Sequence, residues 1–161
     1  MGWFTRPVST SMALNKVSPG DTRALAGFLR VVDLTLSGLD SPAVRLWVEH
    51  GDDGQIIGST GYEIGTDRKH ALIRSVAVDP SWRWAGKGSD LARFAFERAA
   101  EEGAHTAWLF SRRSGPFWRS LGCTPADRNE LANVLRETHQ VRLFKETGRL
   151  DREVAWSRPL T

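Results

Sequence analysis

Residues 74–91, RSVAVDPSWRWAGKGSDL, constrain the fold more than any other part of the sequence. An apolar, partly β-branched run at 75–78 favours a strand, and Asp79 with Pro80 ends it. Two glycines, Gly86 and Gly88, then lead into an alanine-rich segment that favours a helix. The sequence therefore predicts a strand, a glycine-bearing turn and a helix whose small residues pack on a sheet.

This turn also has the chemistry of an anion site. Glycines allow the backbone to approach a ligand closely, and the first amides of the following helix point at it. The helix dipole and the cations Arg83 and Lys87 favour a pyrophosphate. The spacing is neither that of a Walker loop nor the GxGxxG of a Rossmann turn.

The spacing Arg83-x-x-Gly86-x-Gly88, preceded by a V-x-V strand and a proline, resembles the coenzyme A pyrophosphate loop of the GNAT family of N-acetyltransferases. Residues 111–123, SRRSGPFWRSLGC, resemble the second signature of that family. The resemblance implies acetyl-CoA as co-substrate. Four scattered histidines and one cysteine give no metal-ligand spacing, so we expect no metal. It implies these cofactor-binding residues: Val76, Ala77, Val78, Arg83, Trp84, Ala85, Gly86, Lys87, Gly88 and Ser89.

The pattern of periodic segments predicts one α+β domain over residues 1–161, with a loose arm at 1–10. Its core is a mixed, mostly antiparallel sheet of six or seven strands flanked by helices. The 161-residue length suits one domain with its own hydrophobic core. Strands are predicted at 11–17, 44–50, 55–64, 70–78, 106–110, 139–145 and 153–158, and helices begin near 18, 88, 114 and 129.

Charge and cysteine usage bear on partners and compartment. The net charge of +3 comes from interspersed acidic and basic residues, which favours a solvated surface over a nucleic-acid face. We expect a small-molecule amine acceptor, no nucleic acid and no membrane, with a homodimer as an open alternative. A single cysteine, Cys123, and an N-terminus without a signal-peptide core favour the cytoplasm.

Family chemistry implies an amine that loses its proton and attacks a thioester carbonyl. Glu63, on the third predicted strand, is the candidate general base, with Glu49 behind it; the alternative is an exposed carboxylate without a role. Arg74 is the candidate to hold an acceptor carboxylate, or else a surface arginine paired across the sheet. Asp33 or Asp40, in the connector 33–42, is the candidate partner of the acceptor amine.

The proton donor to the leaving thiolate is less evident. Trp118 stands where many family members have the tyrosine that serves this step, and an indole cannot supply the proton. Ser114 and Tyr62 are the candidate hydroxyls, with Ser111 as a further one, and Ser114 competes with a role as helix cap. We expect Cys123, in place of the usual phenylalanine, to be a small buried residue.

Residues 72–78, 114–118 and 138–141 are similar to the small acetyltransferases encoded with arsenic-resistance genes, which implies an amino-acid-like acceptor.

Three functions remain open. The first is acetyl transfer from acetyl-CoA to a small amine. The second is the same reaction with a larger acyl donor or a protein amine. The third is a non-catalytic acyl-CoA-binding module.

Overall fold

A computed structural model describes residues 13–31, 34, 36–82 and 86–160. The described residues contain seven strands in one sheet with the order β1-β2-β3-β4-β5-β7-β6. All neighbouring strands are antiparallel except β4 and β5, which are parallel, so the sheet is mixed and mostly antiparallel as predicted. The strands are β1 Leu14–Lys16, β2 Val44–His50, β3 Ile56–Ile64, β4 His70–Val78, β5 Thr106–Phe110, β6 Thr124–Ala126 and β7 Ala155–Pro159.

Helices cover this sheet, which confirms the α+β prediction. They are α1 Thr22–Val31, α2 Lys87–Glu101, α3 Gly115–Ser120, α4 Arg128–Val134 and α5 His139–Glu146, with a short 3-10 turn at Arg149–Arg152. Helix α2 buries its small residues and Phe96 against the sheet, as its alanine spacing predicts. Helix α1 packs Leu25 and Leu29 into a second apolar cluster with strand β2. In the part of the chain that the structure describes, no helix is both long and apolar enough to cross a bilayer.

The start of α1 follows its predicted signal. Ser18 and Asp21 form a capping box in which the Asp21 carboxylate accepts from the Ser18 amide at 2.9 Å. A 3-10 turn at Pro19–Asp21 precedes the α-helix. A proline fits this first turn because the amide it lacks would have no partner within the helix and because its fixed φ is helical.

The predicted strand at 139–145 is wrong, because these residues form helix α5. The Thr138 side chain accepts from the amide of Val141, and the carboxylate of Glu63 accepts from the amides of His139 and Gln140. A carboxylate from β3 thus satisfies the first amides of a helix that lies 76 residues further along the chain. The alternation of Val141 and Leu143 favours a strand, but Val141 and Phe144 are also three residues apart, as on one face of a helix, and this distant cap favours the helix.

Strands β4 and β5 diverge toward their carboxyl ends. Their pairing runs from His70 opposite Thr106 to Leu72 opposite Trp108, whereas both strands continue beyond that point. Ser75 has a left-handed φ of 61° at a bulge where the register with β3 shifts. The bend and the loss of pairing open the sheet between β4 and β5, where the candidate site lies.

Candidate active site

A cavity of about 750 Å³ opens where β4 and β5 separate. Its walls come from the end of β4, the start of α2, the segment after β5 and the segment before β7. The lining residues are Leu34, Val76, Ala77, Val78, Gly86, Lys87, Gly88, Ser89, Phe110, Ser111, Arg112, Arg113, Ser114, Phe117, Arg149 and Glu153. Seven of the predicted cofactor-binding residues are among them, together with Ser114.

The amino terminus of α2 forms one wall. Gly86 precedes the helix with a left-handed φ of 79°, a conformation that favours glycine, and space beside its Cα is open. The helix has 15 residues, so the first amides and the dipole present positive potential to the cavity. Lys87 lines this wall, but its ammonium lies 2.6 Å from a carboxylate oxygen of the buried Glu49. That ion pair offsets part of the positive charge that Lys87 would otherwise bring to the cavity.

The end of β4 forms the floor. Asp79 donates its amide to Ile57 of β3, and alternation along an extended strand directs the amide of Val76 to the opposite side, toward β5. Because pairing with β5 ends at Leu72, this side of the strand borders the cavity. Donors in such a position could hold an amide-bearing arm or an oxyanion.

Two serines follow β5. The Ser111 hydroxyl accepts from the amide of Ser114 at 3.2 Å, and both residues line the cavity. Ser114 precedes α3, yet its side chain makes no capping hydrogen bond. The competing role as a helix cap is therefore not fulfilled by this hydroxyl.

The opposite end of the cavity carries charges that sequence reasoning missed. The Glu153 carboxylate accepts from Nε of Arg149 at 3.1 Å and lies 3.5 Å from Nε of Arg112. Arg149 and Glu153 are four residues apart, a spacing at which an ion pair can be expected from local sequence. Arg112 joins them only because β5 and β7 are paired, with Phe110 opposite Ala155.

The structure argues against Glu63 as a general base and against Arg74 as an acceptor clamp. The two side chains are 1% and 0% exposed, and Arg74 Nη1 lies 2.9 Å from Glu63 Oε2. The same carboxylate caps α5, so both of its oxygens are engaged, and neither residue lines the cavity. Burial lowers the pKa of Arg74, and the adjacent carboxylate opposes that shift. The alternatives, an exposed carboxylate and a surface arginine paired across the sheet, are wrong in the exposure, whereas the pairing of Arg74 across the sheet is confirmed.

Tyr62 is likewise not placed to donate a proton. It is 1% exposed, and its hydroxyl donates to the Glu102 carboxylate at the end of α2. Burial, assisted by that carboxylate, raises the pKa of Tyr62 far above its usual value. Trp118 is buried against Phe96 and does not line the cavity. Cys123 is 2% exposed and burial raises its pKa to about 11, in agreement with a small buried side chain.

The acidic candidates of the connector are separated from the cavity or not described. Asp40 lines a different cavity of about 580 Å³ beside Pro19 and Leu46, so it is not placed to meet an amine in the first one. Leu34, from the same connector, does line the first cavity. Asp33, Arg83, Trp84 and Ala85 lie outside the described residues. Among the side chains that are described, no cluster of histidine, cysteine and carboxylate groups has the arrangement of a metal site.

The fold and the cavity share one defining feature: the sheet opens between two parallel strands, β4 and β5, beside the amino terminus of α2. The model of the acetyltransferase (GNAT) family matches residues 22–122, so the chain belongs to that family. No curated protein sequence matches the chain.

Solved structures agree with this assignment. N-acetylglutamate synthase from Neisseria gonorrhoeae, complexed with coenzyme A and N-acetyl-glutamate, has a TM-score of 0.70 at 17% identity. The match covers 92% of this chain and 35% of the synthase, so the chain corresponds to about a third of that protein. Rv2747 from Mycobacterium tuberculosis, solved with CoA, has a TM-score of 0.71 at 16% identity, covering 92% of this chain and 99% of that one. Nourseothricin acetyltransferase has a TM-score of 0.60 at 21% identity, covering 92% and 98%. These TM-scores establish the shared fold, and identities below 25% establish nothing beyond it.

Proposed function

We propose that the protein is an acyl-CoA-dependent N-acyltransferase of the cytoplasm that moves an acetyl group from acetyl-CoA to a small, amino-acid-like amine by direct attack. One observation carries the proposal: the gap between β4 and β5 opens into a single cavity that the start of α2 and Ser114 both line. Two neighbours of the same fold were solved with coenzyme A, which supports a CoA ligand here.

The residues fit such a ligand. The first amides of α2 and the glycines Gly86 and Gly88 would hold the pyrophosphate, because a Cβ at Gly86 is absent and its surroundings are open. The β4 edge at Val76 would hold the pantetheine arm and the developing oxyanion. When bound, acetyl-CoA supplies the activated carbonyl carbon and a thiolate leaving group.

Proton transfer needs a different assignment from the one that sequence suggested. Glu63 is closed in its ion pair, so we propose that the amine loses its proton to water in the cavity. Ser114 remains our candidate to protonate the thiolate, since its hydroxyl lines the cavity and caps no helix. A positioned proton donor contributes at least about tenfold to turnover.

A non-catalytic acyl-CoA-binding module is the second candidate function. It is favoured by the burial of Tyr62, Glu63 and Trp118, because none of the three reaches the cavity. The resemblance of 72–78 and 138–141 to acetyltransferases encoded with arsenic-resistance genes instead favours the amino-acid-like acceptor.

The deciding experiment measures free thiol released from acetyl-CoA, and from a longer acyl-CoA, with amino acids, polyamines and a lysine peptide. Binding of acetyl-CoA is measured in parallel. We expect saturable thiol release with at least one amino acid and little with the peptide. Binding of acetyl-CoA without thiol release for any amine would favour the binding module. Faster release with a longer acyl donor or with the peptide would favour a larger donor or a protein amine.

A further inference from the structure

At the end of the cavity away from α2, three side chains form what we call the Arg149 cluster: Arg112, Arg149 and Glu153. We infer that this cluster is the acceptor-specificity site, which binds the carboxylate of an amino-acid substrate through Arg149 and Arg112. The inference rests on the proposed function and names the residues that select its substrate class.

The cluster has one carboxylate for two guanidinium groups. Oε2 of Glu153 takes part in both contacts: it accepts a hydrogen bond from Arg149 Nε at 3.1 Å and lies 3.5 Å from Arg112 Nε in an ion pair. The Glu153 side chain is 4% exposed, whereas those of Arg149 and Arg112 are 36% and 40% exposed. Because each arginine has five N–H donors and both share one carboxylate, the cluster has a net positive charge and guanidinium groups able to bind one more anion.

Two neighbouring side chains, Phe144 and Arg128, hold the cluster in place. The Arg149 guanidinium lies over the ring of buried Phe144, with Cζ 4.7 Å from its centroid. Arg128 Nη1 donates to the carbonyls of Asp151 at 2.8 Å and of Glu153 at 3.1 Å. Glu153 therefore positions both arginines on a fixed backbone, and a preorganised fork loses less entropy when it binds a carboxylate.

Its position favours the acceptor over the donor phosphates. Sheet order puts β7, and hence Glu153 just before it, across β5 from β4 and from the helix that follows β4. The α2 terminus already offers the phosphates an anion site on that side. A carboxylate on the Arg149 side would leave the rest of an amino acid in the space between, where its amine can face the β4 edge.

Kinetics with matched ligands test the inference. Wild type and Arg149→Lys are compared on an amino acid and on the corresponding amino-acid amide, which lacks the negative charge. We expect wild type to prefer the acid by about tenfold or more in kcat/KM. Arg149→Lys keeps the charge but loses the fork, so KM for the acid should rise about tenfold while kcat/KM for the amide and KM for acetyl-CoA stay within about twofold. Glu153→Gln should act in the same direction, because it releases both arginines.

Two controls distinguish the acceptor role from a general charge effect and from a role in binding the donor. Arg152→Lys changes an exposed arginine of the same turn that does not line the cavity, and should leave every constant unchanged. Acetyl-3′-dephospho-CoA identifies a phosphate role: if Arg149→Lys raises KM for acetyl-CoA but not for this analogue, the cluster binds the donor and the inference is overturned. Equal use of acid and amide by wild type overturns it as well.

Calorimetry keeps this test apart from that of the proposed function. The acid and the amide are titrated into the CoA-loaded protein, whether or not thiol is released. Binding of the acid that Arg149→Lys weakens by about tenfold or more supports the cluster even if the chain never turns over. Equal binding of both ligands, or of neither, overturns the inference while thiol release independently decides the function.

Discussion

The two halves of the β4–β5 junction use similar residues to different effect. In the closed half, by which we mean the side chains of β3, β4 and β5 that do not line the cavity, Glu63 binds Arg74, Tyr62 binds Glu102 and Trp108 binds His70. In the open half, where pairing is lost, Glu153 meets Arg149 and Arg112 at the edge of a cavity. A glutamate with an arginine is structural in one half and accessible to ligands in the other. Burial decides between these roles, because a fully enclosed pair has no group left for a ligand.

The largest expected effect is a loss of stability when the buried ion pair of Glu63 and Arg74 is removed, which tests whether this pair is structural. Glu63→Ala leaves Arg74 charged in the core and removes the cap of α5, so we expect a loss of roughly 3–5 kcal/mol of unfolding free energy. The melting temperature should fall by at least about 6 °C, with turnover retained well below it. Thermal and denaturant unfolding measure the loss.

Glu101→Ala is the matched control, since Glu101 forms an exposed pair with Arg98 at 3.2 Å. That change should cost about 0.5 kcal/mol or less. If Glu63→Ala melts like the wild type but has lost turnover, Glu63 takes part in catalysis. The closed half would then not be purely structural.

The next effect tests the open half through its donor wall. Excess acetyl-CoA should stabilise the wild type by about 2.7 kcal/mol at a hundredfold excess over Kd. Gly86→Glu should abolish this gain, because it adds negative charge at the α2 terminus. Gly54→Glu is the control: Gly54 has a similar φ of 84° and open surroundings, in the turn between β2 and β3. If both variants respond to acetyl-CoA alike, the α2 terminus does not hold the pyrophosphate.

A smaller effect sharpens the comparison between hydroxyls. Ser114→Ala should lower kcat about tenfold, or roughly 1.4 kcal/mol in activation free energy, with the melting temperature nearly unchanged because no cap bond is lost. Tyr62→Phe should do the reverse, losing the bond to Glu102 and some stability but no turnover. If Tyr62→Phe has lost turnover and Ser114→Ala is active, the proton donor to the thiolate is Tyr62 and not Ser114.

The smallest expected effect is pH dependence in the closed half. Burial lowers the pKa of His70 below 6.5; Asp67 and Glu130 oppose this shift, and His105 and Lys69 reinforce it. His70 Nδ1 accepts from Trp108 Nε1 at 3.0 Å, which requires the neutral ring. With a lowered folded pKa, the unfolded chain binds more protons, so stability is full above about pH 6.5 and decreases as the pH falls below it. The melting temperature of the wild type should fall more steeply than that of His70→Gln as the pH is lowered through this range, whereas the affinity for acetyl-CoA should be the same in both proteins. An equal pH dependence of the two melting temperatures would exclude His70 as its source.

Much of the open half could be predicted from local sequence. Glycines at 86 and 88 and the apolar run before them indicated the turn, the helix and the wall that they form. The strand bounds of β2, β4 and β5 followed from composition and turns, and the short β6 and the helix α5 did not. For α5 the missing information was a cap from a different strand, Glu63.

The sequence by itself determined where the backbone changes from strand to turn to helix, because glycine conformation, proline and capping act among neighbouring residues. Only the tertiary structure decided which charged side chains are available for chemistry. Glu63 and Glu153 are both carboxylates near a strand, but one is enclosed between β3, β4 and α5, and the other faces a cavity beside Arg149. Access to solvent depends on which elements pack over a side chain, and those elements come from distant parts of the chain.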